Sequence, residues 1–123
     1  MIRLDHLAIP VRDRARARDW YTAHFGFTVE LEIPATKTVG LRDDADLTVF
    51  VFEPDDGAVA PSCILTLQVD DVVAKHRELA GKGIAFEKAP QRLFWGFGAE
   101  LRDPDGYLLR LWDVRSMREW GSG

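Results

Sequence analysis

Few residues in this chain have the chemistry to act on a ligand, and they are scattered. His6 stands alone in the apolar strand "HLAIPVRD" (6–13). An imidazole in that setting is a metal ligand, a substrate contact, or a core histidine with its hydrogen bonds satisfied. The stretch "QRLFWGFG" (91–98) reads as a loop that places Phe94, Trp95 and Phe97 among glycines. His24 falls at the end of a helix, where capping the last carbonyls is its simplest role. His76 sits at a packed helix edge and is assigned no chemistry. Cys63 is expected on the core side of its strand and inert, since a reactive thiolate needs an electropositive, accessible setting. No glycine-rich phosphate loop and no Ser-His-Asp arrangement is visible.

The elements that hold these residues come in a repeat. "HLAIPVRD" (6–13) matches "ILTLQVDD" (64–71), an alternating apolar strand ending in acids able to cap a helix. Helical spacing follows in both, with Ala17, Trp20, Tyr21 and His24 in one copy and Val72, His76, Leu79 and Ala80 in the other. Each helix stops at glycine, Gly26 in the first and Gly81 or Gly83 in the second. "LRDDADLTVFVFE" (41–53) then lines up with "LRDPDGYLLRLWD" (101–113), whose Asp-Pro-Asp-Gly is a turn between two strands. The chain thus reads as one domain over 1–123, with unit one at about 2–53, a linker over 54–62, unit two at about 63–114 and a tail over 115–123. Neither unit can bury both faces of its sheet, so the two are expected to pack together.

Composition narrows the class. The 123 residues are 46% hydrophobic and 29% charged, an ordinary globular balance. A net charge of −4 argues against a nucleic-acid partner, and the arginines of "RDRARAR" (12–18) read as a solvated helix face. No apolar run approaches a membrane span, and Met1 leads into a strand without a signal-peptide pattern. One cysteine and no internal disulfide point to the cytoplasm.

Two βαβββ units, "DH" opening the first strand, "FGF" after the first helix and "WG…LRDPDGYLLRLWD" near the end resemble the vicinal oxygen chelate superfamily over about residues 2–114. That group holds glyoxalase I, extradiol dioxygenases, fosfomycin resistance enzymes and bleomycin resistance proteins. The resemblance implies an α+β fold in which curled mixed sheets surround a cavity and the helices cover the convex faces. It also implies a homodimer, with units swapped or not. Metal ligands in the family come from the first and last strands of each unit. Alternation then puts Leu4, His6, Ala8, Thr48, Phe50, Phe52, Ile64, Thr66, Gln68, Leu108, Arg110 and Trp112 on the cavity side. His6 fills the first ligand position, but Phe50, Ile64 and Arg110 occupy the other three. Phenylalanine and isoleucine coordinate nothing, and arginine repels a divalent ion. No metal or other cofactor is therefore expected.

The resemblance makes Arg110 a substitute for the metal's charge, able to hold a carboxylate, phosphate or enolate through its planar fork, with His6 adding a hydrogen bond. The plainer reading pairs Arg110 with an acid such as Glu100 or Glu32 and leaves His6 as scaffold. Trp95, near the cavity mouth in the family, can stack on a planar ligand or serve as a core or dimer contact. Three functions follow. The first is a metal-free protein that binds a small aromatic or anionic molecule, such as a drug or natural product, through His6, Phe50, Phe52, Ile64, Thr66, Gln68, Trp95, Phe97, Arg110 and Trp112. The second is a metal-independent lyase or isomerase using Arg110 and His6. The third is a metal-dependent glyoxalase- or dioxygenase-type enzyme.

Overall fold

The computed structural model describes residues 1–121, which form two compact units, one over Met1–Pro61 and one from Ser62 onward. Unit one runs β1 (His6–Pro10), α1 (Arg14–Phe25), β2 (Thr28–Ile33), a short turn of 3₁₀ helix at Pro34–Thr36, β3 (Thr38–Arg42) and β4 (Thr48–Phe52). Unit two repeats the order as β5 (Ile64–Gln68), α2 (Val72–Gly81), β6 (Phe86–Leu93), β7 (Gly96–Arg102) and β8 (Leu108–Trp112), then adds α3 (Val114–Trp120). Each unit is a four-stranded mixed sheet, ordered β1-β4-β3-β2 in one and β5-β8-β7-β6 in the other. In both, the first and last strands pair in parallel and the remaining pairs are antiparallel. No helix among the described residues is long and apolar enough to cross a membrane.

Local chemistry sets the same boundaries twice. Asp13 and Asp71 cap α1 and α2, accepting from the backbone N–H three residues on, Arg16 at 3.1 Å and Ala74 at 3.0 Å. Helix α1 ends at Gly26, whose φ of 67° is the left-handed geometry that a Cβ disfavours. The apolar faces of helix and sheet then close on each other. In unit two, Leu79 from α2 and Ala99, Leu101, Leu109 and Leu111 from the strands are fully buried, as are Val11, Val39 and Val51 in unit one. The leucines and valines among them contribute about 1.5–3 kcal/mol each when removed from water.

Three expectations change. "QRLFWGFG" is not a loop but the turn of a β-hairpin: β6 and β7 pair up to Leu93↔Gly96, leaving only Phe94 and Trp95 at the tip. The expected tail instead carries α3 through Trp120, capped by Asp113, while its last two residues lie outside the described residues. Cys63 is exposed, because pairing of β5 starts one residue later, at Ile64, and core-facing alternation does not extend back to it.

Candidate functional site

Unit two carries the more distinctive face. Along β8 burial alternates, Leu109 and Leu111 lying under α2's side of the sheet while Leu108, Arg110 and Trp112 point the other way, only partly covered. Counting outward from the Asp103–Gly106 turn, Arg102 pairs with Leu108, so Glu100 on β7 lies directly across from Arg110. Their side chains meet, with Arg110 Nε donating to Glu100 Oε2 at 3.2 Å, and they keep only 19% and 12% of their exposure. The same Oε2 accepts from the indole Nε1 of Trp95 at 2.9 Å. One carboxylate oxygen therefore fixes an indole and a guanidinium together.

The two tip residues complete the cluster. The guanidinium carbon of Arg110 lies 5.1 Å from the ring centre of Phe94 and 5.5 Å from that of Trp95, within reach of the cation–π attraction. The Trp95 indole lies against Gly98, where a Cβ would collide with its Cη2 and approach its Cζ3 to 3.1 Å. Phe94 itself is 90% exposed. Neither Nη of Arg110 is hydrogen-bonded among the described residues. On the neighbouring strand Thr66 pairs with Arg110 and Gln68 with Trp112, both exposed, and Ile64 stands two pairs before Thr66, beside Leu108. Phe97 does not join them. In the hairpin it shares a face with Ala99 and Leu101, and its amide donates to Met117 Sδ at 3.4 Å.

Unit one replaces the charged pair with an apolar one. At the repeat position of Glu100 and Arg110 it has Gly40 and Phe50, again directly paired. The Phe50 ring lies over Gly40, where a Cβ would be 2.9 Å from ring carbon Cε1. His6 stacks on that ring, centroids 4.2 Å apart and planes 27° off parallel, while its Nδ1 meets Asp5 Oδ2 at 3.0 Å. Phe52 follows on the same face, half-buried. Sequence reasoning passed over Glu30, which takes a hydrogen bond of 2.6 Å from the buried Thr48 hydroxyl. Glu30 sits where the β2–β3 register shifts, so simple alternation could not place it.

A cavity of about 410 Å³ in unit one lies elsewhere, between the start of α1 and the ends of its strands. Arg14, Arg18, Glu32 and Glu53 line it, and none of the candidate residues above does. Its charges are paired, Arg14 with Glu53 at 3.2 Å and Arg18 with Glu32 at 3.0 Å. Glu32 is thus the partner of Arg18 and not of Arg110. Hydrogen bonds to Asp19 and then Glu32 raise the pKa of Arg18 further.

A family profile described as Glyoxalase/Bleomycin resistance protein/Dioxygenase superfamily matches residues 3–111. The chain belongs to this superfamily. Among solved structures it resembles TnmS3, an antibiotic binding protein from Streptomyces sp. CB03234, at 26% identity and TM-score 0.78, over 92% of this chain and 96% of that one. A glyoxalase/bleomycin resistance protein from the same Streptomyces strain shares 27% identity over 86% and 96% of the two chains, with TM-score 0.69. Lactoylglutathione lyase from Agrobacterium tumefaciens, at 18% identity and TM-score 0.76 over 92% and 94%, shares the fold. Among curated proteins, none matches the sequence significantly.

Of the four positions at which the resemblance places metal ligands, one holds a side chain that can coordinate. In unit one the ligand positions hold His6 and Phe50, and in unit two Ile64 and Arg110, whose positive charge opposes a cation. No three His, Cys, Asp or Glu side chains converge among the described residues. What the unit-two face offers instead is an aromatic shelf with fixed polar edges. It can stack a flat molecule and donate hydrogen bonds from Arg110.

Proposed function

We propose that this superfamily member binds a small aromatic molecule and sequesters it, without a metal, on the face formed by Trp95, Phe94, Glu100 and Arg110. The observation that carries this reading is the double use of Glu100 Oε2, which holds the indole and the guanidinium in one arrangement before any ligand arrives. Preorganised aromatic rings lose little freedom on binding, and sparse polar groups set orientation. The 26% identity with TnmS3, an antibiotic binding protein, supports a ligand of drug or natural-product type. The cytoplasm and a homodimer belong to the same proposal. Leu4, Ile64 and Phe94 are 67%, 46% and 90% exposed in the single chain, apolar area that a second copy or a ligand would cover.

Calorimetric titration with the flat probe 2-acetonaphthone tests the reading. Trp95→Ala is expected to weaken binding about tenfold, equal to about 1.4 kcal/mol, by removing the stacking surface. Unchanged affinity in that variant would move the ligand away from this face. An enzyme that used Arg110 as an electrostatic clamp would lose turnover in Arg110→Ala while still binding its substrate.

The metal-free part of the proposal has its own experiment. Chelator-treated protein titrated with Mn²⁺, Ni²⁺ and Zn²⁺ is expected to show no tight one-to-one binding that disappears in His6→Ala. One imidazole already stacked on Phe50 and joined to Asp5 is a poor start for a coordination sphere that needs three or four donors. Tight binding abolished by His6→Ala would make a metal enzyme the leading function.

A further inference from the structure

Given small-molecule binding on the unit-two face, on which this step rests, we infer that Glu100 makes the site select a neutral planar ligand. That ligand is an aromatic ring carrying a carbonyl, in preference to a carboxylate or an organic cation of the same shape. The argument starts from what the protein has already placed there. A cationic ligand would bind through the aromatic faces of Phe94 and Trp95, but Arg110 occupies that position, 5.1 Å and 5.5 Å from the two ring centres. A second cation would meet the first at close range.

An anionic ligand would bind at the Nη edge of Arg110, which no described residue uses. There the charge of Arg110 is already answered. Glu100 sits 3.2 Å from Nε, and both side chains are largely withdrawn from water. An incoming carboxylate would be attracted by the guanidinium and repelled by Glu100 just beyond it, after giving up its own hydration. Lys88 stands across from Glu100 on β6, but it is exposed and forms no ion pair with it. A ring carbonyl accepts the same Nη hydrogen bonds at a much smaller desolvation cost. The indole, tied to Glu100 through Nε1 and lying against Gly98, gives its ring a surface to stack on.

Glu100 is on this reading a positioning residue that also sets charge preference. Three naphthalene probes of one shape test it by titration calorimetry: 2-acetonaphthone (neutral), 2-naphthoate (anion) and 2-naphthamidine (cation). The wild type is expected to bind the ketone about tenfold more tightly than either charged probe. Glu100→Gln leaves the guanidinium uncompensated, so the naphthoate-to-ketone affinity ratio should rise by about fivefold or more. Arg110→Met leaves the carboxylate uncompensated, and naphthamidine should become the tightest of the three. A merely structural role would weaken all three probes together in both variants. Naphthoate binding most tightly to the wild type, or ratios unmoved by both substitutions, would overturn the inference. Equal binding of all three probes, lost in Trp95→Ala, would overturn charge selection and leave the binding site standing. No binding of any probe to the wild type would overturn the binding site as well.

Discussion

Replacing Asp113 by alanine is expected to destabilise the protein by about 3 kcal/mol, lowering the melting temperature by about 10 °C. Its carboxylate is 2% exposed and serves two helices at once. One oxygen accepts from the first amide of α2, Val72 N, at 2.6 Å, and from Ser116 Oγ at 3.0 Å. The other caps α3 through Ser116 N at 2.6 Å. Alanine leaves buried donors of both helix ends unpaired, which costs more than losing one surface cap. Asp113→Asn keeps oxygen and volume but not the charge, and should lose about half as much. Thermal and urea unfolding of the three proteins measure the difference.

The same side chain predicts a pH dependence. Burial alone pushes the Asp113 carboxyl up, but the hydrogen bonds from Val72 and Ser116, with the charge of Arg115, outweigh it and hold it below the ordinary carboxylate range. A group whose folded value is depressed contributes stability above its unfolded value, about 3.9, and loses it as pH falls through the folded value. The stability gap between wild type and Asp113→Asn should therefore be constant near neutrality and narrow below about pH 4. A gap that stays open at low pH would mean the charge is not what matters.

Asp113 has a counterpart in the repeat, and the pair shows what a sequence can reveal. Glu53 ends β4's segment as Asp113 ends β8's, and its Oε2 accepts from Arg14 N, the first amide of α1, at 3.0 Å. Aligning "TVFVFE" with "LLRLWD" already equates the two acids. Strand alternation likewise placed Arg110 and Trp112 opposite Leu109 and Leu111, because burial on one face leaves a period of two in the residues themselves. The partner of Arg110 needed one more step, counting pairs outward from the Asp-Pro-Asp-Gly turn to Glu100. The misreadings arose where that period breaks. Reading the hairpin at Phe94-Trp95 as a loop hides the register, which puts Phe97 on the side of Ala99 and Leu101. A core position for Cys63 requires alternation to continue past Ile64, where the pairing of the strand begins. Helix α3 has only seven residues and almost no periodicity to announce it.

Gly98 is the least legible residue of the site and the one whose substitution should disturb it most. In "WGFG" it reads as loop glycine, yet it lies inside β7, paired with Gln91. A Cβ there would collide with the backbone oxygen of Leu111 and with Cη2 of Trp95. Gly98→Ala is therefore expected to cost about 2–3 kcal/mol of stability through overpacking. Affinity for 2-acetonaphthone should also fall, because the displaced indole loses its hydrogen bond to Glu100. A double-mutant cycle separates the two collisions. In a Trp95→Ala background only the clash with the sheet remains, so the same Gly98→Ala change should cost about 1 kcal/mol less. Equal costs in both backgrounds would show that the backbone of β8 alone requires glycine, and that Trp95 is held in place by Glu100 and not by the floor beneath it.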